Sequence, residues 1–273
     1  MMSVDGPVLF ARYAYPPNSL GYCGPDAGRE LLERVSAATA APAPDGATTS
    51  PTVRPDDGGL RRLARSFEGA WPYLELIAHE NGLADPLDPR VVEAYWVGNH
   101  LLRSVTPRAF GECLATRFRG HGRAVWSGVS DALATGLAGA PHHGFHVLAV
   151  YPWVGLLRSG ARDEPLRVLD RCRVRPGQVV QVSADRALVR SRPLRWDGHR
   201  LTEGPPVLEE VVRARDGYGL APGLAPGDWC SMHWDWVCDR LDRRGVVALR
   251  WWTARQLDLV DALARPPGVL ADA

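Results

Sequence analysis

The chain has 273 residues, 45% of them hydrophobic, enough to bury a sizeable core in one large domain or two ordinary ones. Its 32 basic and 31 acidic residues leave a formal charge of +1, which excludes a global field for nucleic acid or an anionic membrane; every basic residue is Arg, which excludes lysine Schiff-base chemistry. Five cysteines without regular spacing do not make a disulfide framework, and there is neither a signal-like amino terminus nor a run of about 18 apolar residues, so a soluble, cytoplasmic protein is expected.

Residues 1–160 read as an all-α domain that begins with an irregular Pro- and Gly-containing segment. Asp26 is placed to cap a helix carrying Leu31, Leu32 and Val35. Residues 36–59 contain few bulky apolar groups and read as a disordered surface loop whose deletion should leave folding intact. Leu60, Leu63, Phe67, Trp71, Leu74, Ile77 and Ala78 then recur at helical spacing, with Pro72 as a kink and Asn81-Gly82 as the stop. Asp88-Pro89 and Thr106-Pro107 are paired start signals, a capping side chain followed by proline at the first helical position. An amphipathic stretch from Val125 to Leu137 precedes residues 142–157, which are apolar on nearly all sides and predict a buried central helix.

Composition changes over residues 158–165, a polar stretch that marks the domain boundary. Beyond it Gln178–Val182 and Ala187–Arg190 are strand-like, and Asp197-Gly198 suits a hairpin turn. Residues 204–226 read as an insertion with a short helix near Val207 to Arg213. Trp229–Val237 reads as one strand after a Pro226-Gly227-Asp228 turn, and an amphipathic helix carries Val246, Leu249, Thr253, Leu257, Val260 and Ala264. The expected fold class is α+β: the helical domain, then a small OB-like β-barrel over residues 165–242, then a covering helix over 243–265.

The string C-x-x-x-P-G-x-V-V from Cys172 to Val180, followed by a strand pair and by G-D-W-x-x-x-H from Gly227 to His233, resembles the HypC/HupF family of hydrogenase assembly chaperones over about residues 168–264. That resemblance implies a carrier for iron with cyanide and carbon monoxide ligands, working with a HypD-like maturation protein and the precursor of the [NiFe]-hydrogenase large subunit. It points to a maturation chaperone rather than a turnover enzyme. Cys172 matches the family's iron- and partner-binding cysteine, Pro176 and Gly177 the turn behind it, Gly227 and Asp228 the later turn, and His233 the strand histidine. A thiolate is a soft ligand suited to such iron, and Arg171, Arg173 and Arg175 are placed to lower the thiol pKa and to meet a partner. Read without that function, Cys172 is a thiol at a strand start and His233 a core imidazole among Trp229, Trp234 and Trp236. The geometric expectation is that Cys172, opening the first strand, and His233, mid-strand, meet in one partly exposed mouth that the helices leave open.

Two rival classes remain. In one, the helical domain is a metal-dependent enzyme recruited by the barrel: His142 and His146 lie one helical turn apart, and Glu75 with His79 repeats the spacing. In the other, the chain is a non-catalytic interaction module. Cys23 in G-Y-C-G is a further nucleophile candidate for which no acid or oxyanion element can be assigned.

Overall fold

The computed structural model describes residues 4–39, 57–117 and 139–263. Its architecture is α+β, with helices in the first part, a strand-rich sheet region, and a long carboxy-terminal helix.

Helix α1 (Gly6–Asn18) occupies the centre. Pro7 sits in its first turn, where no amide hydrogen is needed, and the Asp5 carbonyl accepts from the Leu9 amide at 2.9 Å. All 13 of its residues are buried. It packs on α2 (Gly28–Thr39), α3 (Asp57–Arg65) and α5 (Pro89–Trp96), and its other side meets the sheet. The buried central helix is therefore α1, and not residues 142–157. That later stretch breaks into α7 (His143–Phe145), a π-helical turn His146–Val150, and α8 (Trp153–Arg158). The cause is Pro152, which pushes Tyr151 into extended backbone and cannot continue the ladder.

The expected helix over Leu60 to Ala78 is two, α3 and α4 (Trp71–Glu80), separated by the turns at Ser66–Ala70. Pro72 starts the second instead of kinking the first. Asp88 accepts from the Arg90 amide at 2.9 Å and caps α5, and Thr106 accepts from the Ala109 amide at 3.1 Å before α6 (Pro107–Arg117), as the paired signals require. Most of the expected loop over 36–59 and the stretch from Val125 to Leu137 lie outside the described residues; at the loop's ends, 36–39 and 57–59 belong to α2 and α3.

Residues 158–165 do not lead straight into a strand. Helix α9 (Asp163–Cys172) intervenes, with Asp163 and Glu164 in its first turn and Pro165, Val168, Leu169 and Cys172 buried. The sheet then has β1 (Arg175–Val182), β2 (Arg186–Ser191), β5 (Val207–Val212), β8 (Trp229–His233) and β9 (Trp236–Leu241), in the order β1-β2-β5-β9-β8. β8 pairs with β1 as well as with β9, and β5 meets β9 through one parallel pair, Val212 with Trp236. Two hairpins, β3 (Leu194–Trp196) with β4 (Leu201–Glu203) and β6 (Ala214–Arg215) with β7 (Tyr218–Gly219), stand apart from this sheet. The first turns at Asp197-Gly198, as expected.

Three expectations here are corrected. Val207 to Arg213 is not a helix: its β-branched residues form β5, between β2 and β9. Trp229–Val237 is two strands joined at Trp234-Asp235, both in the left-handed region at φ 47° and 65°. Pro176 and Gly177 are not a turn but lie in β1, where a Cβ on Gly177 would stand 2.3 Å from Val189 Cγ1. The turn at Gly227 and Asp228 is as expected, Gly227 adopting φ 93° and Asp228 accepting from the Ala225 amide at 3.0 Å.

Helix α10 (Arg243–Leu263), capped by Asp242 through the Gly245 amide at 2.7 Å, lies against β1, β4, β9 and the π-helical turn. One apolar core runs from α1 through Trp96 and Tyr95 to Val212, Trp236, Leu249 and Trp252, so helices and sheet share it. No helix among the described residues is long and apolar enough to cross a membrane.

Ion pairs fasten α9 to the sheet. Arg175, 1% exposed, donates to Glu209 at 2.9 Å, and Ser191 and Arg171 also reach Glu209. Burial by itself raises the Glu209 carboxyl, but the charge of Arg175 and the hydrogen bonds from Arg175 and Ser191 overcome it, leaving the pKa below the usual range. Glu209→Gln is expected to destabilise the fold by about 3 kcal/mol at neutral pH. Because the folded carboxyl is depressed, that contribution is present above the unfolded value of about 4.3 and is lost as pH falls through the folded value. Denaturant titrations of wild type and variant should converge at acid pH. Gly98, at φ 93° with a would-be Cβ 2.0 Å from Trp252 Cδ1, is where α10 meets the helices. Gly98→Ala should cost about 2 kcal/mol or more in the same titration.

Candidate metal centre

Cys172 is the last residue of α9 and not the first of β1, because the amphipathic helix runs to Cys172 and Arg173 turns the chain to extended backbone. His233 ends β8 at the hairpin and is not mid-strand. The two meet because the Trp234 amide donates to the Arg171 carbonyl at 2.8 Å, holding the β8-β9 hairpin against the end of α9. A third donor joins them. His143 opens α7, and ligand atoms of His143, Cys172 and His233 all lie within 4.8 Å of one another. Among the described residues this is the one group of three or more His, Cys, Asp or Glu side chains arranged to hold a metal.

Backbone carbonyls set the protons on both rings. His233 Nδ1 lies 2.7 Å from the Tyr13 carbonyl of α1, and since a carbonyl only accepts, Nδ1 carries the hydrogen. The lone pair is then on Nε2, which is buried and makes no hydrogen bond of normal geometry among the described residues, although the Cys172 carbonyl lies near enough to oppose the lowering of this ring. His143 Nε2 likewise donates to the Cys172 carbonyl at 2.8 Å, and the Tyr95 hydroxyl stands 3.4 Å from Nδ1. Each ring is thus held by a donor bond to a backbone carbonyl, the kind of support that orients ligating histidines. Trp96 packs against both rings, at 4.6 Å and 5.6 Å between centroids.

Burial dominates the electrostatics. It lowers His143 to about 4, partly offset by the Cys172 carbonyl, and it takes His233, with His143 as the next contribution, well below the usual range. The Cys172 thiol is pushed up to about 12 by burial, with the Trp234 indole opposing; that N–H faces the sulfur without making a hydrogen bond of normal geometry. At neutral pH the apo site is therefore two neutral imidazoles and a thiol. Such a set fits a late first-row ion, which must displace the thiol proton on binding.

The arginines do not activate Cys172. Arg173, 1% exposed, pairs with Asp170 at 3.2 Å and Glu203 at 2.8 Å; Arg175 pairs with Glu209, and Arg171 with Glu209 and Asp235. Arg173 and Arg175 are interior braces rather than a surface for a partner. Cys172 and His233 do line one cavity, as expected, but both lie buried within it where helices cover the sheet and not at an exposed mouth of the sheet. Tyr22, from the segment after α1, stacks on Trp234 with centroids 4.1 Å apart.

His142 and His146 turn to different neighbours. His142 precedes α7 as its cap, its Nδ1 accepting from the Gly144 amide at 3.0 Å and its ring stacked on Trp252. His146 Nδ1 meets the Tyr73 hydroxyl at 3.2 Å, and its ring lines the same cavity as the three donors. Glu75 and His79 lie exposed on α4, where Glu75 accepts from the Trp71 indole at 2.6 Å. Cys23 lines the cavity too, with its thiol raised to about 12 by burial and by Cys172. Sequence reasoning missed His143: in P-H-H-G-F-H a helical wheel favours the pair one turn apart, but the helix begins after His142.

A family model described as "Family of unknown function (DUF6390)" matches residues 2–266. Comparison with curated proteins and with solved structures returned no match.

Because both folded imidazoles are depressed, they favour folding above about pH 6.5 and oppose it increasingly as pH falls below that value. In an NMR titration the ring Cε1–H signals of His143 and His233 should stay flat from about pH 8 to about pH 5. A midpoint near the ordinary histidine value for either ring would show it open to water.

Proposed function

The chain belongs to the DUF6390 family, and we propose that this protein handles a late first-row transition metal, held by His143, Cys172 and His233. The observation that carries the reading is the buried Nε2 of His233, which makes no hydrogen bond of normal geometry among the described residues, beside a second oriented imidazole and a thiol. An unpaired acceptor in a protein interior is costly, and an ion supplies what it lacks. The ligands come from α7, α9 and β8, so binding ties the helices to the sheet and stabilises the folded chain.

Within this reading, the resemblance to the HypC/HupF family makes the cargo an iron fragment with cyanide and carbon monoxide ligands, exchanged with a HypD-like protein and a hydrogenase large-subunit precursor. The approach of Cys172 to His233 supports it, as does the pairing of β8 with both β1 and β9, which is what an OB-like barrel requires. A carrier of this kind must move its covering segment around Tyr22 to load and unload. The second reading is a resident ion in a metal-dependent enzyme. It is favoured by the third ligand, His143, which comes from the helical part, and by the cavity beside the site.

Metal analysis after anaerobic reconstitution tests both. One ion per chain is expected, with at least about 10-fold weaker binding in Cys172→Ser, His143→Ala and His233→Ala, and little change in His142→Ala. Infrared bands of cyanide and carbon monoxide in protein isolated from a hydrogenase-producing host would assign the cargo role; an ion without them, unaffected by added HypD-like protein, would assign the resident one. A wild-type chain that binds no metal, with the variants unaltered, would leave only an interaction module.

A further inference from the structure

Beside the three donors lies a cavity of about 190 Å³, with Tyr22, which is 46% exposed, in its outer wall. Phe67, Tyr95, Trp96, Tyr151, Trp153 and Trp234 supply much of its wall, and none of the described residues that line it is Asp, Glu or Arg. A charged guest would lose its hydration there and find no counter-charge. The volume is somewhat above the ~150 Å³ of an apolar cavity that takes benzene, so one ring with a short substituent fills it. Flat aromatic walls favour a flat guest.

Two further features give that guest a polarity. A tetrahedral ion held by three protein atoms keeps one position open, and a lone pair on the guest can take it. Trp234, 4% exposed, also lines the cavity, and its indole N–H makes no hydrogen bond of normal geometry among the described residues; the Cys172 sulfur that it faces is a weak acceptor, so an acceptor on the guest can complete it.

Resting on the metal reading above, we propose that this chamber binds a small, uncharged, planar nitrogen heterocycle, with one ring nitrogen on the ion and a second acceptor for the Trp234 N–H. The helical part then does more than cover the sheet, because Phe67, Tyr95 and Trp96 make the chamber in which the open position is presented. Gly69 keeps that space free. A Cβ there meets His146 Nε2 at 3.5 Å, an ordinary contact, so alanine is accommodated while a longer side chain enters the cavity.

The test uses the full chain loaded with cobalt(II) and pyrimidine as the probe, with cobalt stoichiometry, the visible cobalt spectrum and tryptophan fluorescence as readouts. Pyrimidine is expected to bind saturably and shift the cobalt spectrum, benzene to quench fluorescence without shifting it, and benzoate not to compete. Gly69→Leu should weaken pyrimidine at least about 10-fold with cobalt stoichiometry unchanged, and Gly69→Ala should stay near wild type. Should Gly69→Leu fail to fold, Trp234→Phe, which keeps an aromatic side chain and removes the N–H, should weaken pyrimidine about 3-fold or more. One cobalt per chain with no pyrimidine binding, equal binding to wild type and Gly69→Leu, or effective competition by benzoate overturns the chamber proposal and leaves the metal site standing. A wild-type chain that takes up no cobalt removes both.

Discussion

A helix buried along all 13 of its residues is the constraint from which the rest follows. With α1 cut off from water, its polar groups must find partners inside the protein; Asn18 finds them in the loop that follows, and Arg12 and Tyr13 find theirs in the sheet. Arg12 pairs with Asp239 at 2.7 Å, the Tyr13 hydroxyl meets Ser231 at 2.8 Å, and the Tyr13 carbonyl takes the Nδ1 hydrogen of His233. Ring contacts follow the same seam, with Tyr15 edge-on to Trp236 at 5.0 Å. Helices and sheet therefore share the largest apolar cluster, while the sheet keeps another of its own around Val179, Val189, Val211 and Met232.

The candidate metal centre is a product of that seam. Its three donors sit at element ends, His143 opening α7, Cys172 closing α9 and His233 closing β8, where the chain changes direction and side chains from different layers converge. Burial there cuts both ways. It keeps the imidazoles neutral, with a lone pair to offer, and it also keeps the thiol protonated, so that a metal ion would have to displace that proton. The same burial separates this protein from a barrel with an open mouth: a site covered by helices has a shaped compartment beside it, and the stacked rings of Tyr22 and Trp234 form part of its wall.

Arginine as the sole basic side chain takes on a structural meaning at the end of α9. Arg171, Arg173 and Arg175 present planar forks that several carboxylates can share, and Asp170, Glu203, Glu209 and Asp235 take them up. The network draws the end of α9, β1, β4 and β5 together directly behind Cys172. Its charges are spent on one another, which is why three arginines near a thiol in sequence do not make it a thiolate.

Local chemistry was legible wherever a few adjacent residues settle the outcome. Asp88-Pro89 and Thr106-Pro107 start helices, Asp197-Gly198 turns a hairpin, and Gly227 allows a left-handed turn, because capping and backbone sterics act within one turn of chain. Cys172 and His233 could also be singled out as chemistry-bearing residues in the sequence. What the sequence left open is everything decided by partners far away along it. Val207–Val212 is a strand because β2 and β9 flank it; Pro176-Gly177 lies in a strand because Val189 and Met232 press on a residue without a side chain; and Arg173 and Arg175 are interior because carboxylates await them. His143 becomes a third donor only when α7 is set beside α9 and β8, since residues 29 and 90 positions further on supply the other two. Caps and turns are short-range, whereas burial, ion pairing and the convergence of ligands are properties of the packed whole, and only the tertiary structure decides them.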